Sequence, residues 1–141
     1  MFGMTHATHL FFYGVLREGV GDWPFLAGLG LGAPATVDGA LFAIPDAGGW
    51  YPALVLTQAR FATAIHGTLH DAGDVDIAAI DAFEGDGYAR QTVEVDGWDG
   101  FGDTRAQAYI WTGELPDRAE PIAHGDFVRW LEETGRPAFS D

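Results

Sequence analysis

Glu84 is the carboxylate in this 141-residue chain whose position is hardest to explain by solvation. The spacing predicts a helix over Asp74–Glu84 (DVDIAAIDAFE), with Asp74 or Asp76 as its N-cap and Gly85 ending it in the left-handed conformation. Ile77 and Ile80 set its apolar stripe. Glu84 follows them by seven and four residues, which returns its carboxylate to the same stripe. Asp76 and Asp81 point elsewhere and read as solvated. Desolvation and the C-terminal end of the helix dipole both disfavour a charge at Glu84. Its pKa should therefore rise toward neutrality, where a carboxylate serves as a general base. Two other outcomes stay open: the helix ends a residue early and turns Glu84 into water, or Arg90 pairs with it.

A second candidate lies in Phe12-Tyr13-Gly14-Val15-Leu16, at the end of an apolar run. Glycine there permits close backbone approach, and successive amides in such a turn can hold an anion or an oxyanion. The plain alternative is a glycine bend in a sheet.

Other signals are weaker. Gly28–Ala33 (GLGLGA) satisfies G-x-G-x-x-A, but no convincing strand precedes it and Pro34 follows at once. His66 and His70 share a strand face without an adjacent glutamate or a third ligand, so they read as packing or surface residues and no metal site is expected. Asp96–Asp103 does not fit a calcium loop and reads as an acidic hairpin loop. If Trp98 and Phe101 within it are exposed, they would cover a pocket or a contact between copies, and a homodimer is left open. Arg90 reads as a brace to an acidic neighbour rather than a substrate ligand. Tyr88 is divided between packing and lining a pocket.

Composition narrows the field further. The chain has no cysteine, which removes thiolate nucleophiles, disulfides and Cys-ligated metals. All seven basic residues are arginine, which removes lysine Schiff-base chemistry. A net charge of −14 argues against nucleic acid and anionic membranes as partners. No apolar run is long enough to span a bilayer, and MFGMTHATHL lacks signal-peptide character, so a soluble, cytoplasmic protein is expected.

Two classes of element must position these residues. His9–Leu16, Thr36–Ile44, Trp50–Leu56, Ala62–His70, Tyr88–Val95 and Thr104–Trp111 read as strands, with a turn at Pro45–Gly49. A short helical turn begins near Asp22 as N-cap with Pro24 in its first turn, and a terminal helix covers Gly125–Thr134. Six strands and two or three helices without strict alternation favour an α+β fold with a closed or curled mixed sheet.

These motifs, in this order, resemble the gamma-glutamyl cyclotransferase-like, or AIG2-like, family. FFYGVLREG (Phe11–Gly19) is similar to its strand-to-loop Tyr-Gly-Ser/Thr-Leu motif, and IDAFEGDGYARQTVEV (Ile80–Val95) to its Leu-Asp-x-x-Glu-Gly…Tyr-x-Arg pattern. WYPALVL, AIHGTLH, QAYIW and GDFVRWL fit its remaining strands and last helix. The resemblance spans roughly residues 9–134 and implies one domain over residues 1–141. The implied architecture is a mixed β-barrel with a few flanking helices and a pocket at one end. The implied reaction cyclises a γ-glutamyl group to 5-oxoproline and frees an amine or amino acid, without metal or cofactor. The resemblance places the catalytic acid/base at Glu84, the anion-binding loop at Tyr13, Gly14, Val15 and Leu16, and a pocket tyrosine at Tyr88. Val15 stands where the family carries Ser or Thr, so a hydroxyl contact is lost while the amide remains. Two alternatives share the resemblance: a non-catalytic small-molecule binding or accessory module, and a pathway enzyme that removes a γ-glutamyl protecting group.

Overall fold

The apolar run near the start of the chain forms β1 (His9–Phe12), and neighbours cover it on both faces: Leu10 and Phe11 are 0% exposed. In the computed structural model, residues 9–17, 23–30, 32–57, 60, 62–97 and 104–139 are described. They form β2 (Ala33–Asp46), β3 (Gly49–Val55), β4 (Thr63–Asp71), α1 (Ile77–Glu84), β5 (Tyr88–Gly97), β6 (Thr104–Trp111), β7 (Glu120–Pro121) and α2 (Phe127–Thr134), with one 3-10 turn at Pro24–Leu26. The class is the expected α+β.

The strands form one mixed sheet in the order β1-β4-β2-β3-β6-β5, with β7 on β2. Most neighbours run antiparallel, whereas β6 lies parallel to both β1 and β3. Extra pairings of β1 with β6 and of β2 with β5 bring the sheet back on itself. These closures are brief. Leu10 meets Gln107, and Ala35 and Thr36 meet Gly97 and Asp96, while within the order β3 touches β6 at Leu54 and Ile110. The expected barrel is thus a curled sheet closed by short contacts. Ile65, Leu54 and Val95 fill its interior, and Phe127 and Trp130 of α2 join the same core.

Local chemistry shifts several expected boundaries. β1 stops at Phe12 rather than Leu16, because the chain turns away through Gly14–Arg17, closed by the Arg17 amide donating to the Gly14 carbonyl at 2.9 Å. β2 continues through Pro45 to a tight hairpin with β3. α1 starts at Ile77, where the Asp76 carboxylate accepts from the Ala79 amide. Gly85 ends it at φ +80°, ψ −172°, a region open to glycine and distinct from the left-handed helix. Asp126 caps α2 by accepting from the Val128 and Arg129 amides, so this helix begins two residues later than Gly125. Asp22, Trp98 and Phe101 lie outside the described residues. Among the described residues no helix is long and apolar enough to cross a membrane.

Candidate active site

α1 delivers Glu84 from its last turn into a notch between the ends of β1 and β3. Tyr13, Gly14, Val15, Leu16, Tyr51, Pro52, Tyr88 and Tyr109 share that notch with it. Its free volume is about 20 Å³, room for about one water-sized group. It opens into an outer pocket of about 280 Å³, with Val15, Tyr51, Glu84 and Tyr88 lining both. Burial lifts the Glu84 carboxyl from 4.5 to about 8. Among the described residues no cation pairs with it: Arg90 goes instead to Asp81, at 3.0 Å.

The loop opposite Glu84 is held rigidly. The Trp23 indole donates to the Val15 carbonyl at 2.9 Å, and Trp23 packs on Phe83 of α1 at 4.6 Å between ring centroids. The Gly14–Arg17 turn leaves the amides of Val15 and Leu16 without a protein acceptor among the described residues. Two unpaired amides at the edge of a largely apolar notch suit an anionic oxygen.

The phenols brace this arrangement. Tyr13 donates to the Tyr109 carbonyl at 2.5 Å and accepts from the Leu54 amide at 3.2 Å. Tyr88 donates to the Pro52 carbonyl at 2.6 Å. Burial, reinforced at Tyr13 by the Glu84 charge and at Tyr88 by Tyr13 and then Glu84, holds both phenols well above the ordinary phenol range, so they stay neutral donors. Their rings line the notch while their hydroxyls fix backbone.

A sequence profile described as gamma-glutamyl cyclotransferase, AIG2-like, matches residues 10–129. The chain belongs to this family. Among solved structures it is similar to YkqA from Bacillus subtilis, at 26% identity and TM-score 0.69, over 91% of this chain and 42% of that one. It therefore spans less than half the length of that protein. An AIG2-like protein from Mus musculus matches at 15% identity and TM-score 0.63, over 79% of this chain and 82% of that one. The Kluyveromyces lactis allophanate hydrolase contains the same fold, at 15% identity and TM-score 0.73, over 92% of this chain and 22% of that one. No curated protein matches the chain in sequence.

Within this family fold, Tyr13, Gly14, Val15, Leu16, Glu84 and Tyr88 all converge on one notch. Asp81 departs from the sequence reading. It is not merely solvated: it accepts from the Tyr109 hydroxyl at 2.5 Å and from Arg90, and these bonds, that from Tyr109 first, hold its carboxyl below the ordinary range. Arg90, which also bonds Gln107, is the brace it was expected to be. His70 is buried and bonded to the Gly30 carbonyl at 2.8 Å and to Thr68 at 2.9 Å, a packing role. Among the described residues no group of three or more His, Asp or Glu side chains could hold a metal ion.

Tyr51, Asp46, Phe83, Trp111 and Phe139 line the outer pocket and were not singled out in the sequence. Phe139 arrives by a long-range contact. The Trp50 amide donates to the Pro137 carbonyl at 2.9 Å and the Phe139 amide to the Trp50 carbonyl at 2.7 Å, docking the chain end beside β3. Tyr51 was marked only by its place in the Trp50–Leu56 strand.

Proposed function

We propose that the protein is a gamma-glutamyl cyclotransferase in which Glu84 is the general acid/base. The carrying observation is the unpaired Glu84 carboxyl, lifted to about 8 by burial, in the same notch as the two open amides of Val15 and Leu16. The reaction needs a base and an anion cradle, and no protein nucleophile. The α-ammonium of the γ-glutamyl group gives a proton to Glu84, and the freed amine attacks its own side-chain carbonyl. A five-membered lactam forms as the attacking nitrogen loses its second proton, the amide C–N bond breaks, and the departing nitrogen takes up both protons, one of them returned by Glu84, and leaves as an ammonium. No water is consumed, and the products are 5-oxoproline and a free amine. The loop amides hold an anionic oxygen of the substrate, and the braced notch keeps amine and carbonyl in attack geometry. Val15 contributes its amide here and no hydroxyl.

The test is 5-oxoproline release from a panel of γ-glutamyl amides, with Glu84→Gln alongside. The expected result is release that falls about 10²–10⁴-fold in the folded variant. Equal rates for the two proteins would remove Glu84 from the reaction. Ligand-induced thermal stabilisation without release from any amide would favour a binding module.

A further inference from the structure

One polar network is tied to the helix that carries the base without bonding the base itself. Asp81 lies three residues before Glu84 on α1, so the two side chains occupy neighbouring positions about one turn apart. The Tyr109 hydroxyl donates to the Asp81 carboxylate at 2.5 Å, a length found where the acceptor is charged, and Arg90 donates to the same carboxylate at 3.0 and 3.3 Å. Among the described residues Asp81 is the only member of α1 whose side chain hydrogen-bonds the sheet. Tyr109 also lines the notch beside Glu84, and its carbonyl accepts from Tyr13. One residue of β6 thus joins the helix that carries the base to the start of the loop that carries the open amides.

The end of α1 needs such a hold. Packing fixes the helix through Ile80, which is 0% exposed, and through Phe83 against Trp23, but a β-carbon at Gly85, directly after Glu84, would meet nothing within 4 Å. A carboxylate is drawn to water, and from the last turn of a helix a small rotation brings it there. The titratable groups that face Glu84 are the phenols of Tyr13 from the loop, Tyr51 from β3, Tyr88 from β5 and Tyr109 from β6, with Asp46 from β2 across the outer pocket. None of them is a cation, so no ion pair keeps Glu84 inside. A second hold lies just past β6, where the Thr112 amide and hydroxyl both donate to the Gly87 carbonyl, at 3.0 and 3.3 Å. The chain is therefore gripped from β6 three residues before Glu84 and three residues after it.

We propose that Tyr109 and Asp81 are positioning residues for Glu84: the phenol of β6 grips α1 one turn before the base and keeps its carboxyl turned into the notch. The consequence for turnover rests on the cyclotransferase reading, whereas the orientation of the carboxyl can be tested without turnover.

Tyr109→Phe keeps the ring and the carbonyl and removes only the bond to Asp81. The orientation is read by 13C NMR titration of the Glu84 carboxyl, assigned against Glu84→Gln, with thermal melts confirming that each variant folds. Wild type should titrate near 8, and Tyr109→Phe about one pH unit or more lower as the carboxyl reaches water. Asp81→Ala should do the same, and it carries the comparison if Tyr109→Phe does not fold. Asp81→Asn, which still accepts from the phenol, should stay near wild type. At about pH 9, where the base is ionised in both proteins, kcat on a γ-glutamyl amide should fall about tenfold in Tyr109→Phe with KM changed little. A Glu84 titration unmoved in Tyr109→Phe and Asp81→Ala overturns the proposal. A lost kcat beside an unmoved titration also overturns it, and places the Tyr109 hydroxyl in the reaction itself. If no amide is cyclised, the reaction assignment falls and the titration alone decides the orientation.

Discussion

Gly14 lies so close to Pro52 that a β-carbon at residue 14 would come within 2.3 Å of the proline Cγ. The contact joins the loop that offers open amides to the strand whose Pro52 carbonyl anchors Tyr88 at 2.6 Å. Loop, strand and pocket tyrosine are thus fixed relative to one another at one point. The proline ring is itself tied into β3, opposite Ala43 of β2, so neither side can yield without moving the sheet.

Gly14→Ala should therefore displace the loop rather than fill a gap. Overpacking of this kind costs about 1–3 kcal/mol. The expected outcome is a folded protein with a lowered Tm and kcat/KM reduced more than the stability loss alone explains. Melting and steady-state kinetics on the same preparation check it. Wild-type kcat/KM in a destabilised variant would mean that the loop amides do not touch substrate.

The raised pKa of Glu84 makes stability depend on pH in a definite direction. The folded value is about 8 against an ordinary 4.5, so the folded chain holds this proton more tightly than the unfolded one. Its contribution is fully present below about pH 4.5 and is lost as pH rises through about 8. Glu84→Gln lacks this dependence. Relative to wild type, the variant should gain stability between about pH 5 and about pH 9, read as a widening Tm difference. A difference that stays constant across the range would mean that the Glu84 carboxyl is solvated.

Under the proposed reaction the same shift governs the rate. At pH 7 only about a tenth of the free enzyme carries an ionised base, given a pKa of about 8. The acid limb of kcat/KM should lie near pH 8. A substrate ammonium beside the carboxylate favours its charged form, so the limb of kcat should fall at lower pH than that of kcat/KM. Initial-rate profiles for both parameters test the order of the two limbs.

The helix and the inward turn of Glu84 were legible because they follow from local periodicity over eight residues, whereas its cap was legible only as Asp74 or Asp76. The glycine turn was legible as a place where backbone could approach something, though not what. Pro52, the thing approached, lies nearly forty residues away in sequence. Asp81 is solvent-exposed as read, at 42% for its side chain, but its bonds were not legible for a related reason. Its partners Tyr109 and Arg90 reach it from β6 and β5, and no helical spacing records a cross-element bond. Phe139 is the extreme case, since a tail docked by two backbone hydrogen bonds to Trp50 carries no periodicity at all. Glu84 and the glycine turn are encoded locally, whereas the outer pocket is assembled from β3, β6, α1 and the tail at Phe139.

Trp23 offers a way to separate loop position from loop chemistry. Its indole N–H donates to the Val15 carbonyl at 2.9 Å, and its ring packs on Phe83 beside Glu84. Trp23→Phe keeps an aromatic ring against Phe83 and removes the donor, leaving a buried carbonyl unsatisfied. The net stability loss should be about 1 kcal/mol. The catalytic effect should exceed it, because the Val15 peptide also carries an amide of the anion cradle, and rotating that peptide turns the amide away. Val15 carries no hydroxyl, so its side chain offers no second handle and this loop depends on its backbone alone. The expected outcome is a rise in KM for γ-glutamyl amides of about tenfold, with the acid limb of kcat/KM unmoved because Glu84 keeps its surroundings. A shifted limb with unchanged KM would instead place Trp23 as a determinant of the base and not of the cradle.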